Sequence, residues 1–212
     1  MKSYQKHIVL INALDWSRID PLRIISVSLL FAQEFAMTVR SCSTIYQDSI
    51  VFRTFANEEI DTENLKYEDY QQRGDHWQFL AHFVGKIKSQ ANFISLGDLL
   101  RFQWSTALSF EPIDQYLRLL ADATPEQQMV TLVSREQALQ GIFKKILGAH
   151  NWDARGYGFY RHFLERHLEL DGEDGGHEDL MRGLIDLHTL DPLQETFLEQ
   201  FWIRRLAVYQ SL

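Results

Sequence analysis

Cysteine is nearly missing from this chain: Cys42 is the sole one among 212 residues. That excludes an internal disulfide, and it excludes a zinc or iron–sulfur site built from several thiolates. Any metal would have to be held by His, Asp and Glu. Proline (4) and glycine (11) are scarce, which weighs against a many-turned all-β protein. Positive charge is also short. The chain has 21 Lys and Arg against 29 Asp and Glu, a formal net charge of −8. Without a basic stripe it is a poor partner for a phosphate backbone, so no nucleic acid is expected. No apolar run reaches the ~18 residues of a spanning helix. The opening MKSYQKHIVLINALDW lacks a small-residue cleavage signal. These absences predict a cytoplasmic protein with no membrane partner.

What is present describes a folded chain. Hydrophobic residues make up 45% and charged residues 24%, ordinary for a globular domain. The length suits one domain covering residues 1–212. The pattern is helical throughout. Asp20–Pro21 reads as an N-cap and first helical residue, followed by LRIISVSLLFAQEFAMTVRSC. That segment is apolar on nearly every side, as a central buried helix should be. Glu34 lies inside it. HWQFLAHFVGKI predicts a helix closing near Gly85, with further helices at about 96–108 and 111–121. Thr124, Pro125 and Gln127 form a capping-box start for a helix to about Gly148. Others are expected from about residue 154 to Asp171, from near His177, and from Asp191–Pro192 to the C-terminus. The fold class is all-α, a bundle of about seven helices.

Polar residues on apolar stripes carry the functional signal. At about 100° per residue, Glu136 falls about 20° from Met129 on the face shared with Leu132, Leu139, Phe143 and Leu147. His167 and Asp171, spaced i and i+4, fall on the face of Tyr160, Phe163, Leu164 and Leu168. Two helices therefore offer Glu, His and Asp to one interior. Pairing with arginine, or hydrogen bonding within the core, accounts for such residues equally well. His177 lies six residues beyond Asp171, and Gly172, Gly175 and Gly176 allow a break or bulge that brings it back. As a calcium loop the segment fails, because Arg182 stands where a bidentate Glu belongs. Glu58, Glu59 and His76 read either as a solvated acidic loop and a core-edge imidazole or as further ligands. Together these residues make a mixed nitrogen and oxygen set suited to two iron or manganese ions.

The segment ERHLELDG, residues 165–172, resembles the E-R-H-I-E-L-D-G-D-E-H-G hallmark of a large uncharacterised bacterial family. SREQALQGIFKKIL, residues 134–147, resembles its G-R-E-D-L-I-P-D-M-F helix, with Arg135–Glu136 and Phe143 in matching places. NEEID, residues 57–61, and DHWQFL from Asp75 resemble its acidic segment and the S-H-F-E-L-Y that follows. LRIISVSLLFAQEFAM resembles its first core helix. That family in turn resembles the heme-oxygenase-like di-iron oxidases and oxygenases. The resemblance implies a heme-oxygenase-like bundle with metal ligands Glu59, His76, Glu136, His167, Asp171 and His177, taking Glu59 over Glu58. It implies two iron ions per chain, with manganese as the other candidate, and O2 and a small organic molecule as substrates. Tyr160, Phe163 and Trp77 are candidates to line the pocket. The chain departs from the family in the last spacing: DGEDGGH puts His six residues after Asp instead of four, which makes Asp174 an alternative ligand. A non-catalytic binding protein on the same fold is the competing expectation. Third is a cofactor-free enzyme like the thiaminase-like members, with Cys42 as nucleophile. The apolar C-terminal helix FWIRRLAVYQSL is a candidate homodimer contact.

Overall fold

The computed structural model describes residues 2–87, 110–172, 181 and 183–212. Among these residues there are eight α-helices and no strand. They are α1 (Gln5–Asn12), α2 (Pro21–Ser43), α3 (Ile50–Glu59), α4 (His76–Ile87), α5 (Phe110–Ala121), α6 (Pro125–Ala149), α7 (Gly158–Gly172) and α8 (Pro192–Gln210). The all-α expectation therefore holds at the level of class. The helices expected at about 96–108 and near His177 lie outside the described residues.

Local chemistry explains the helix starts. Asp20, Thr124 and Asp191 each cap a helix whose first residue is proline. The cap side chain accepts backbone N–H groups left without an intrahelical partner, and proline has no N–H to leave orphaned. Thr124–Gln127 and Asp191–Gln194 are full capping boxes, each side chain bonding the other residue's backbone. Ser49 caps α3 through the Phe52 N–H.

Two helices organise the rest. α2 packs on α3, α4 and α6, while α6 packs on α1, α2, α7 and α8. α8 covers α1 and α5, and α4 reaches α7. By length and composition α2 is apolar enough to cross a membrane. Here it is the core helix, with Ile24, Ile25, Val27, Leu29 and Val39 at 1% exposure or less. The N-terminal α1, which periodicity did not single out, is held by Ile11 in the core and by its contacts to α6 and α8.

Two expected boundaries shift. The helix expected from residue 154 begins at Gly158, because Asp153–Arg155 forms a 3₁₀ turn closed by Gly156 at φ +75°. The Tyr157 N–H then bonds Trp152 O at 2.8 Å and redirects the chain. α4 runs through Gly85 to Ile87 instead of closing there.

Glu34 owes its burial to Arg135. Arg135 donates from both terminal nitrogens, to Oε2 at 2.6 Å and Oε1 at 3.1 Å. Thr38 Oγ1 donates to Oε1 and Tyr116 Oη to Oε2, each at 2.7 Å. Removing one partner strands the other's charge in low dielectric, which costs about 3–5 kcal/mol. Glu34→Leu is therefore expected to lose that much in urea unfolding, while Thr38→Val loses about 1 kcal/mol. A Glu34→Leu protein as stable as wild type would show that the pair does not hold α2 to α6.

Candidate metal centre

Three buried side chains from three helices meet at one point. Glu59 ends α3, His76 begins α4 and His167 lies in the middle of α7. His76 Nδ1 is 3.0 Å from His167 Nε2 and 3.2 Å from Glu59 Oε2. One ligand atom from each residue lies within 4.8 Å of the others.

Seventeen positions separate Glu59 from His76, and a clamped loop closes that gap. Thr62 and Gly74 exchange both backbone hydrogen bonds at 3.0 Å, so the chain returns beside its own starting point. Asp75 locks the closure. Its Oδ1 accepts from the Asp61 N–H at 3.0 Å and from Arg40 at 2.7 Å, and its Oδ2 accepts from Trp77 Nε1 at 2.9 Å. Burial works against the charged form of Asp75. The bonds from Arg40, the Asp61 N–H and Trp77 outweigh it and hold the carboxyl below the ordinary aspartate value. One carboxylate thus ties α2, the end of α3 and the start of α4 together.

His167 is oriented by its own helix. Its Nδ1 donates to Phe163 O at 2.7 Å, which leaves the lone pair on Nε2 facing His76. The rings of Phe143 and Phe163 flank it, with centroids 5.5 and 4.3 Å away. A hydrogen-bonded neighbour behind and a lone pair in front is the arrangement that metal-binding imidazoles adopt.

The donor geometry fits a cation. Bonds of about 2.1 Å at right angles put neighbouring ligand atoms about 3.0 Å apart, and tetrahedral bonds put them about 3.4 Å apart. The two separations from His76 Nδ1 fall in that range, and the Glu59–His167 pair lies within 4.8 Å. Hydrogen bonding alone serves the cluster poorly. His76 Nδ1 has one proton to give and faces two acceptors, and among the described residues the buried His76 Nε2 has no hydrogen-bond partner. Two imidazoles and a carboxylate with open positions is a set that suits non-heme iron.

The cluster opens on an interior cavity of about 50 Å³. Glu136 lies on its wall at 3% exposure, with Phe31, Phe35, Leu139, Phe143 and Phe163 around it. The structure thus brings Glu59, His76, His167 and Glu136 to one chamber. Glu59 is buried and supplies the carboxylate of the cluster, while Glu58 is half-buried, its carbonyl accepting from Asn64. The Asp171 side chain, Asp174 and His177 lie outside the described residues. Of the aromatic candidates, Phe163 lines the cavity. Tyr160 is instead 2.6 Å from Ser28 through its hydroxyl, and Trp77 is turned to Asp75.

The residues that sequence reasoning missed are Arg205 and Tyr209 on α8 and Ser28 on α2, all on the cavity wall. A signal existed for Arg205: it continues the stripe of Leu198, Phe201 and Trp202 at helical spacing. Cys42 stands apart from all of this. It is fully buried, its Sγ is 3.8 Å from Pro125 O, and burial pushes its thiol up to about 12. Comparison with known protein families, with curated proteins and with solved structures finds no match.

Two measurements check this description. Asp75→Ala removes the clamp, so it is expected to cost about 2–4 kcal/mol and to weaken metal binding roughly 10- to 100-fold. Unchanged metal affinity would show that Glu59 and His76 are placed by something else. Burial pushes the Cys42 thiol up to about 12 and keeps it protonated near neutral pH, so it is expected to ignore Ellman's reagent between pH 7 and 9 until the chain is unfolded. Rapid labelling of the native protein would contradict that.

Proposed function

We propose that this protein is a metal-dependent oxidase or oxygenase of the heme-oxygenase-like di-iron kind, acting on a small organic molecule and O2 in the cavity. The observation that carries the reading is the convergence of Glu59, His76 and His167, all buried, on a chamber that Glu136 also lines. The resemblance of ERHLELDG and SREQALQGIFKKIL to that superfamily's ligand helices supports two ions, with Asp171 and His177 completing the second site. Iron is the first candidate and manganese the second.

When bound, ferrous iron would supply the electrons and coordination sites through which O2 is activated. The chain's own contribution is to hold and to exclude. Glu59 would offer a carboxylate to the cations. His76 and His167 supply neutral nitrogen donors, with His167 fixed in one tautomer by Phe163 O. Phe31, Phe35, Leu139, Phe143 and Phe163 keep bulk water from the chamber and offer apolar surface to a substrate.

A second reading rests on the six-residue step from Asp171 to His177 in DGEDGGH: the bundle is kept as a binding protein whose metal site is degraded. Anaerobic loading with ferrous ion followed by metal analysis separates the two. About two irons per chain, lost in His167→Ala without loss of helical content, is the expected result. No bound iron in the wild type would favour the second reading and overturn the first. Glu136→Leu is expected to keep its helical content and to retain less iron.

A further inference from the structure

A pair of hydroxyls at the chamber wall has a proton to spare. Ser28 of α2 lines the cavity, and its Oγ is 2.6 Å from Tyr160 Oη of α7. Among the described residues neither hydroxyl has another hydrogen-bond partner. The pair holds two protons, and the bond between them uses one. Tyr160 is fully buried and does not line the cavity. If Ser28 donated, the Tyr160 proton would be stranded in the core. Tyr160 therefore donates and Ser28 accepts. Burial pushes the Tyr160 phenol far above neutral pH, so it keeps that proton. The second proton, on Ser28, is left to point into the cavity.

Ser28 departs from its neighbours on the same helix. Ser26 and Ser43 donate to the carbonyls of Leu22 and Val39, four residues back, at 2.7 and 2.8 Å. A helical serine commonly leaves its proton there. Ser28 makes no such bond to Ile24 O, because Tyr160 draws its oxygen the other way. The rest of its face is apolar: Phe31, Ala32 and Phe35, at helical spacing from Ser28, line the same cavity. The wall offers no surplus positive charge to an anion. Arg135 is matched by Glu34, and Arg205 is offset by Glu59 and Glu136. What Ser28 adds is one neutral donor in an apolar stripe, and a donor shut away from water is costly until an acceptor meets it.

We propose that Ser28 donates this hydrogen bond to a carbonyl oxygen of the chamber's occupant, so that the site takes neutral molecules with one carbonyl group and an apolar body. Tyr160 is the positioning residue: it holds the Ser28 oxygen away from Ile24 O and so aims the proton at the cavity. Phe31, Ala32 and Phe35 would lie along the apolar part of the molecule. This inference rests on the cavity being the substrate chamber of the reading above, and its test needs no bound iron.

The experiment uses the full chain kept metal-free with a chelator, so that no cation can hold the carbonyl. Cyclopentanone is titrated by ligand-observed NMR beside methylenecyclopentane, which has carbon in place of the ketone oxygen, and beside cyclopentanecarboxylate. Infrared spectra of the bound ketone give its carbonyl stretch. In the wild type the ketone is expected to bind more tightly than the carboxylate, with its stretch below the position it has in an alkane solvent. Ser28→Ala is expected to weaken the ketone about tenfold and the alkene by roughly twofold at most. Tyr160→Phe, which lets Ser28 turn to Ile24 O, is expected to shift the two ligands in the same unequal way. Failure of the ketone to bind, a stretch at the alkane position, or a carboxylate as tight as the ketone would overturn the proposal in the wild type alone, even if a variant did not fold. Ketone affinity unchanged in Ser28→Ala would also overturn it, showing that the proton goes to a bound water only. Iron loading that fails while the Ser28 dependence stands would refute the metal reading alone. Iron that loads without any Ser28 dependence would refute the donor alone.

Discussion

Desolvated charge governs this molecule. Glu34 and Arg135 sit between α2 and α6, the two helices that touch most of the others, and neither can be left alone there. Meeting that constraint sets the rotation of α2 against α6, because a two-pronged bond tolerates little sliding. Arg135 and Glu136 are adjacent on α6 and both line the chamber, and Arg135 also grips Glu34. The pair that locks the core thereby fixes where one of the candidate ligands stands.

Around that lock, polar groups lie in two sets with different degrees of completion. The Glu34 carboxylate accepts four hydrogen bonds from Arg135, Thr38 and Tyr116. The cavity wall holds less finished groups, His76 with an unpartnered Nε2 and Arg205 with an unpartnered Nε. Natural cores satisfy nearly all buried polar atoms.

Much of this was legible because it depends on neighbours in the chain. The starts at Asp20, Thr124 and Asp191 follow from a capping side chain and a proline, and the structure has helices beginning there. Glu136 and His167 fall on apolar stripes by counting turns, and both are buried. What sequence withheld depends on contacts across the fold. Nothing in NEEID or DHWQFL says that Thr62 pairs with Gly74 or that Asp75 reaches back to Arg40. Arg205 went unnoticed for another reason. The neighbouring Arg204 hides that Arg205 continues the stripe of Leu198, Phe201 and Trp202, and it is Arg205 that the fold buries. The start of α7 was misjudged because Gly156 in the left-handed region ends a turn that composition alone makes look helical.

The backbone bridge at Thr62 and Gly74 has a consequence for how this protein can change over time. It isolates the ends of the intervening loop from the loop's own length. Lengthening a loop twofold adds only about 0.6 kcal/mol of closure entropy. Between the exposed Gln71 and Gln72, added residues would swing outward from a neck that is already tied. The loop is therefore a natural place for insertions, which would add new surface and new neighbours while the cluster beneath it stays put.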